Sequence, residues 1–203
     1  MEEAAYLASN GVKELILIAQ DLTYYGIDLN GKRQITQLVQ SLTEIDGIEW
    51  VRLQYAYPHG FPEDLPDLIN NNPKVCNYID LPLQHISSRI LKSMKRNVDK
   101  EQTLNLVNLI REKVPGIAFR TTLIVGYPGE TEEEFQELLD FVKSQRFERL
   151  GVFAYSPEEG TSAYLIEDDV PQKTKDYRLA ALMEVQQEIS NEINSKRVGS
   201  VEK

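Results

Sequence analysis

The residues of this chain that could do chemistry recur at one kind of position. Gln20 and Asp21, His59, Gln84 and His85, Glu130, and Glu158 and Glu159 each follow a short run rich in β-branched and apolar residues. In a parallel α/β fold the carboxyl ends of the strands share one side, where ligands bind. These residues are therefore expected at a common mouth. Asp21, His59, His85 and Glu130 would suit a divalent metal as carboxylate and imidazole ligands. Polar residues after strands are more often ordinary loop residues satisfied by local hydrogen bonds, so no metal ligand is assigned. Ser87 fits a helix cap better than a nucleophile, because neither histidine belongs to a triad pattern. Cys76 is the only cysteine, and one thiol can neither form an internal disulfide nor hold an iron–sulfur cluster. Lys92, Lys95 and Arg96 are the one compact basic cluster and read as a solvated helix end.

The stretch FRTTLIVGYPGETEEEF, residues 119–135, shows what must position these groups. Residues 120–125 have the composition of a strand buried on both faces of a parallel sheet. Gly126, Pro128 and Gly129 break it, and the glycines would let backbone approach a ligand closely. Thr131 and Glu134 have capping-box spacing, and Phe135, Leu138, Leu139 and Val142 share one helical face. Strand, loop and helix then repeat along the chain. Strands are predicted at residues 14–19, 50–56, 78–83 and 149–155, with Pro82 better placed at a strand end. Helices are predicted at residues 1–10, 31–45, about 63–71, 87–95, from Asp99 to Pro115, and about 171–196. The last would bury Tyr177, Ala181, Val185, Ile189 and Ile193, and pack across the open edge. Because no strand precedes the first helix, the sequence is expected to open inside a unit. Strands alternating with helices mean parallel βαβ crossovers, closed either as a doubly wound sheet or as an incomplete barrel. No glycine-rich dinucleotide fingerprint follows the first strand.

The chain has 203 residues, 41% of them hydrophobic and 27% charged, which suits one α/β domain. No apolar run reaches the roughly 20 residues of a membrane-spanning helix and the acidic start is no signal peptide, so a cytoplasmic location is the default. The net charge of −10 argues against a broad phosphate-binding surface and favours a basic partner.

Three segments, DLPLQHISSRILKSMKR, TTLIVGYPGETEEEF and RLGVFAYSPEEGT, resemble the radical S-adenosylmethionine domain of methylthiotransferases, nearly continuously and in order. The resemblance implies a partial (β/α) TIM-like barrel lacking its first strand and cluster loop, a single domain over residues 1–203. It implies S-adenosylmethionine across the carboxyl ends of the strands, with the strand end at Thr122, Ile124 and Gly126 facing its adenine. Gln20, Gln84 and Arg120 would offer polar contacts, and Phe153 and Tyr155 would wall the pocket. Asp21, His85, Glu158 and Glu159 would form a substrate rim. At Gln20-Asp21, Gln84-His85-Ile86-Ser87 and Glu158-Glu159-Gly160-Thr161 the residues side with the branch that modifies an aspartate of ribosomal protein S-twelve. The transfer-RNA branch typically has Gln-Asn, Gln-Ser-Gly-Ser and Arg-Pro-Gly-Thr there. An acidic rim also suits a lysine- and arginine-rich protein better than phosphates.

The CxxxCxxC loop that holds the family's radical-generating cluster has no counterpart here, and Cys76 lies beyond the second strand. The family's N-terminal cluster domain and C-terminal β-domain have none either. The resemblance therefore implies a fragment, inactive alone and with no cofactor expected bound, whose parent uses S-adenosylmethionine and iron–sulfur clusters. The alternatives are the branch acting on a transfer-RNA adenosine, a cluster-free binding module, and a metal-dependent barrel enzyme. An exposed first edge would further predict self-association.

Overall fold

A computed structural model of the chain describes residues 1–200, which fall into two compact units. The first comprises Met1–Pro82 and Leu104–Phe119, the second Leu83–Thr103 and residues 120–200.

In the first unit the order is α1 (Glu2–Ser9), β1 (Glu14–Ile18), a 3-10 turn (Leu22–Tyr24), α2 (Ile27–Asn30), α3 (Ile35–Thr43), β2 (Trp50–Gln54), α4 (Leu65–Asn71) and β3 (Tyr78–Asp80). Most of α6 (Lys100–Lys113) and the first two residues of β4 (Ala118–Val125) also belong to it. β1 and β2 are parallel, with Ile16 opposite Arg52 and Ile18 opposite Gln54. Leu15, Val51 and Leu53 are buried, as are Ile35, Val39, Leu65, Ile69, Val107 and Ile110 of the helices in this unit, and α3 packs against β2. The other face carries a polar group: Arg52 Nε lies 2.6 Å from Glu14 Oε1, and its guanidinium sits over the Tyr78 ring at 5.1 Å. Cys76 is half-buried beside it, its thiol pKa raised chiefly by burial.

The second unit contains α5 (Ser88–Ser93), the remainder of β4, α7 (Glu132–Gln145), β5 (Arg149–Ala154), a second 3-10 turn (Ala163–Leu165) and α8 (Gln172–Arg197). β4 and β5 are parallel, pairing Ile124 with Phe153. Along β4 the buried face carries Phe119, Thr121, Leu123 and Val125, and the half-buried face carries Arg120, Thr122 and Ile124. Both α8 and α7 pack in this unit, α8 against β5 and against α7.

Three of the helix starts, those of α5, α6 and α7, follow from side chains that accept the free N–H groups of a first turn. Thr131 and Glu134 form a complete capping box, Ser87 caps α5, and Asp99 and Gln102 exchange reciprocal hydrogen bonds at the start of α6. Three expectations need correction. The helix expected over residues 31–45 is the shorter α3, Ile35–Thr43, because Gly31 at φ 66° closes the preceding α2 instead of opening a helix. β3 ends at Asp80 rather than residue 83, two residues before Pro82, which has no N–H to donate. In α8 the buried stripe is Lys175, Arg178, Leu182, Gln186 and Ile189, whereas Tyr177 is 63% exposed. Ile189 is buried as expected and Ala181, Val185 and Ile193 are half-buried, so hydropathy found the border of the stripe and missed its three polar members.

Thr131→Ala should cost about 1 kcal/mol in urea unfolding. Glu134→Ala should cost more, because it also strips Ser87 and Arg89 of their acceptor. Among the described residues β1 has a strand partner on one side only, with Ile16 and Ile18 exposed at 50% and 63%. Sedimentation should therefore show concentration-dependent self-association that Ile18→Lys reduces, and a monomer at all concentrations would contradict it.

Candidate functional site

A cavity of about 370 Å³ opens in the second unit at the carboxyl ends of β4 and β5. That is within the range of small-molecule sites. Its walls are Gln84, Ile124, Tyr127, Phe153 and Tyr155, joined by Ser93, Met94 and Arg96 on one side and Glu158, Thr161, Ser162 and Ala163 on the other. Gln84 holds its place through its backbone. Its N–H donates to the Thr122 carbonyl and its carbonyl accepts from Ile124 N–H, both at 2.8 Å. Gln84 adopts φ 72° there, a left-handed conformation that non-glycine residues rarely take and that often marks functional positions. Tyr127 and Tyr155 stack edge to face with centroids 5.2 Å apart. Tyr155 Oη is buried with no hydrogen-bond partner among the described residues, which leaves it available to a ligand.

The turn after β4 is built on Glu130. This carboxylate is buried, and Oε2 accepts the N–H of Gly126 and, at 3.1 Å, that of Tyr127. Oε1 lies 3.3 Å from Arg178 Nη1. Burial pushes the Glu130 pKa up to about 7, against the pull of Arg178 and the two amides. The turn is also reached from α8: a Cβ on Gly126 would collide with Lys175, so the space that the missing side chain leaves is taken by protein. Lys175 is itself buried, donating to the Tyr155 carbonyl at 3.2 Å and to Asp168 Oδ2 at 2.5 Å.

Of the site residues expected from sequence, Gln84, Ile124, Phe153, Tyr155 and Glu158 line this cavity, with Phe153 61% exposed. Thr122 and Arg120 lie on the same face of β4 as Ile124 but outside the cavity lining, and Gly126, just past β4, and the exposed Glu159 are outside the lining as well. Gln20 and Asp21 belong to the first unit. Gln20 is exposed there, and Asp21 caps the first 3-10 turn, accepting from Thr23 N–H at 2.9 Å with Arg33 3.9 Å away. His85, expected at a rim, is fully buried. Its Nδ1 accepts from Ser87 N–H at 2.9 Å, so the proton sits on Nε2. His59 is exposed in the first unit, and no group of three or more His, Cys, Asp or Glu among the described residues could hold a metal ion. Arg96, read as part of a solvated helix end, is half-buried in the cavity wall. Tyr127, Lys175 and Arg178 were not singled out from sequence. The Leu182, Gln186, Ile189 spacing, continued toward the N-terminus, would have found the two cations.

The chain belongs to the radical SAM superfamily, whose family model matches residues 1–142. It is 58% identical over 199 residues to the ribosomal protein uS12 methylthiotransferase RimO of Christiangramia forsetii, which covers 98% of this chain and 44% of that protein. It is 57% identical over 201 residues to the RimO of Flavobacterium johnsoniae, covering 99% of this chain and 46% of the relative. The chain thus spans less than half the length of these relatives. Among solved structures, the radical SAM enzyme coproporphyrinogen III oxidase (HemN) of Escherichia coli superimposes with a TM-score of 0.69 at 22% identity. The match covers 94% of this chain and 44% of that one. The shared fold is the partial, TIM-like α/β barrel of this superfamily. Among the described residues no helix is long and apolar enough to cross a membrane.

Burial lowers the His85 pKa from 6.5 to about 4, with Arg178 and Arg89 adding to the shift and Glu134 opposing it. The unfolded chain therefore binds the extra proton first. Stability present above pH 6.5 should decline as pH falls through about 4, by roughly 3 kcal/mol in full. Glu130 acts in the opposite sense, its contribution being lost as pH rises through about 7. Because the chain has two histidines, imidazole resonances assigned with a His59→Gln variant can be titrated individually. A His85 midpoint near 6.5 would contradict the buried, neutral assignment.

Proposed function

We propose that this chain is the S-adenosylmethionine-binding part of a methylthiotransferase whose substrate is a small-subunit ribosomal protein. One observation carries the reading: a single cavity at the strand ends gathers Gln84, Ile124, Phe153, Tyr155 and Glu158. Apolar and aromatic walls suit an adenine ring, the Gln84 amide can both donate and accept at its edge, and Tyr155 Oη offers a further donor. The bound group would supply the methyl that is transferred. An iron–sulfur cluster does not fit these residues, since thiolates ligate it and Cys76 is the only cysteine.

The protein substrate is supported by charge. The loop beside the cavity, residues 156–170, has no lysine or arginine, and although Asp168 is paired with Lys175 and Asp169 accepts the Gly129 N–H, Glu158, Glu159 and Glu167 add three further negative charges. Such a rim attracts a cationic polypeptide and repels a phosphate backbone. The names of the relatives support the same class of substrate.

Calorimetric titration of S-adenosylmethionine into the chain tests the cavity. The chain alone is not expected to retain a cofactor, but weak, saturable binding is expected when the ligand is supplied in excess, reduced about tenfold by Phe153→Ala through loss of ring stacking. Absence of any saturable heat would overturn the assignment. In a full-length enzyme carrying this chain, reconstituted with iron and sulfide without oxygen, a ribosomal-protein peptide should gain the mass of a methylthio group. Glu158→Lys with Glu159→Lys should raise KM for that protein and leave kcat nearly unchanged. Modification of transfer RNA instead would move the chain to the sibling branch.

A further inference from the structure

Two cations of α8 are buried on the side of the second unit that holds the cavity, and the proposed chemistry uses neither. Lys175 is 2% exposed and Arg178 is 4% exposed. Each reaches a main-chain carbonyl of a cavity-bearing loop. Lys175 donates to the carbonyl of Tyr155, and Arg178 Nη1 donates to the carbonyl of Glu130 at 3.1 Å. Each is also paired with acids: Lys175 with Asp168, and Arg178 with Glu130 and, through Nη2 at 3.1 Å, with Glu132. Aromatic faces complete both environments, Tyr155 at 5.2 Å from Lys175 Nζ and Phe135 at 5.3 Å from the Arg178 guanidinium. The connection onward to the cavity is direct, since Glu130 accepts the N–H of Tyr127 and Tyr127 lines the wall.

Burying two cations is a poor route to stability, because desolvation offsets most of the attraction and apolar residues of similar volume often do as well or better. What paired charges provide and apolar residues do not is a fixed geometry, in this case at the turn after β4 and at the exit of β5, where the Tyr155 N–H on the Val125 carbonyl is the last bond between the two strands. We propose that Lys175 and Arg178 are positioning residues that set the shape of the cavity, by locking the turn at residues 126–130 and the strand exit at Tyr155 onto one helix. Both act through other groups. Lys175 fills the space beside Gly126, so the turn cannot relax toward α8, while Arg178 fixes the carboxylate on which the turn is wound. This helix lies outside the segment matched by the family model, residues 1–142. The shape of the cavity is accordingly set from a part of the chain that the superfamily match does not cover. Only the ligand measurement below depends on reading the cavity as an S-adenosylmethionine site.

Amide hydrogen exchange on the chain itself tests the proposal. The variants are Lys175→Met and the double variant Arg178→Met with Glu130→Gln, in which the glutamine oxygen can still accept the two amides without a buried unpaired charge. Gln186→Leu is the control, a buried position of the same stripe whose side chain bonds to Phe147 and Ser190 rather than to the cavity loops. The expected result is at least tenfold faster exchange confined to the amides of Gly126, Tyr127, Gly129, Glu130 and Tyr155 in the first two variants, with unchanged unfolding midpoints, and none in the control. S-adenosylmethionine affinity should fall in parallel. Asp168→Asn, which removes the counter-charge of Lys175 from a partly exposed position, tests that arm if Lys175→Met does not fold. Wild-type protection retained in the variants, or a uniform acceleration matched by Gln186→Leu, would overturn the proposal. If the wild-type chain binds no S-adenosylmethionine, the cavity assignment fails while the exchange result still decides whether α8 positions these loops.

Discussion

A carboxylate shut away from water holds the carboxyl end of β4 in shape. Glu130 takes the amides of Gly126 and Tyr127 on one oxygen and faces Arg178 with the other, so three groups depend on a single side chain. An unpartnered carboxylate could not remain charged at that depth. The surrounding chain answers the constraint: Gly126 gives up a side chain, α8 places cations on its inner face, and Tyr127 is left in position to wall a cavity. Four residues further along, Glu134 performs a comparable task nearer the surface. It closes the capping box of α7 while accepting from Ser87 and Arg89. Although burial alone would raise its pKa, those hydrogen bonds win and hold it at about 2.

Much of the fold was legible because its signals are local. A capping box at Thr131 and Glu134, a cap at Ser87 and the reciprocal pair at Asp99 and Gln102 each lie within four residues, and each forms as its spacing implies. The strand β4 was readable as an element but not its two faces: residues 120–125 read as buried on both sides, whereas alternation leaves Arg120, Thr122 and Ile124 half-buried together. The inner face of α8 was not readable either. Its stripe is anchored by Lys175, Arg178 and Gln186, whose burial depends on carbonyls and carboxylates far away in sequence, and no periodicity of hydropathy encodes such partners.

The candidate site was legible to the same degree and for the same reason. Residues at strand ends were found, because the ends of parallel strands share a side. Their side-chain environments were not. His85 and Gln84 are adjacent and look alike in sequence as polar residues leaving a strand. One carbonyl and one amide locked to β4 turn Gln84 into the cavity wall, and His85 goes into the core as a neutral imidazole. The family resemblance supplied what spacing could not, by pairing Gln84 with Phe153 and Tyr155 across more than sixty residues of chain.

The polar group beneath β1 and β2 in the first unit has a practical side. Cys76 is the only thiol in the chain, half-buried, and burial raises its pKa above that of a free cysteine. A thiol so placed is mostly protonated at neutral pH and reacts slowly with alkylating reagents until its surroundings open. Its rate of labelling is therefore a clock for openings of the first unit, started by a single reagent and readable without any engineered probe.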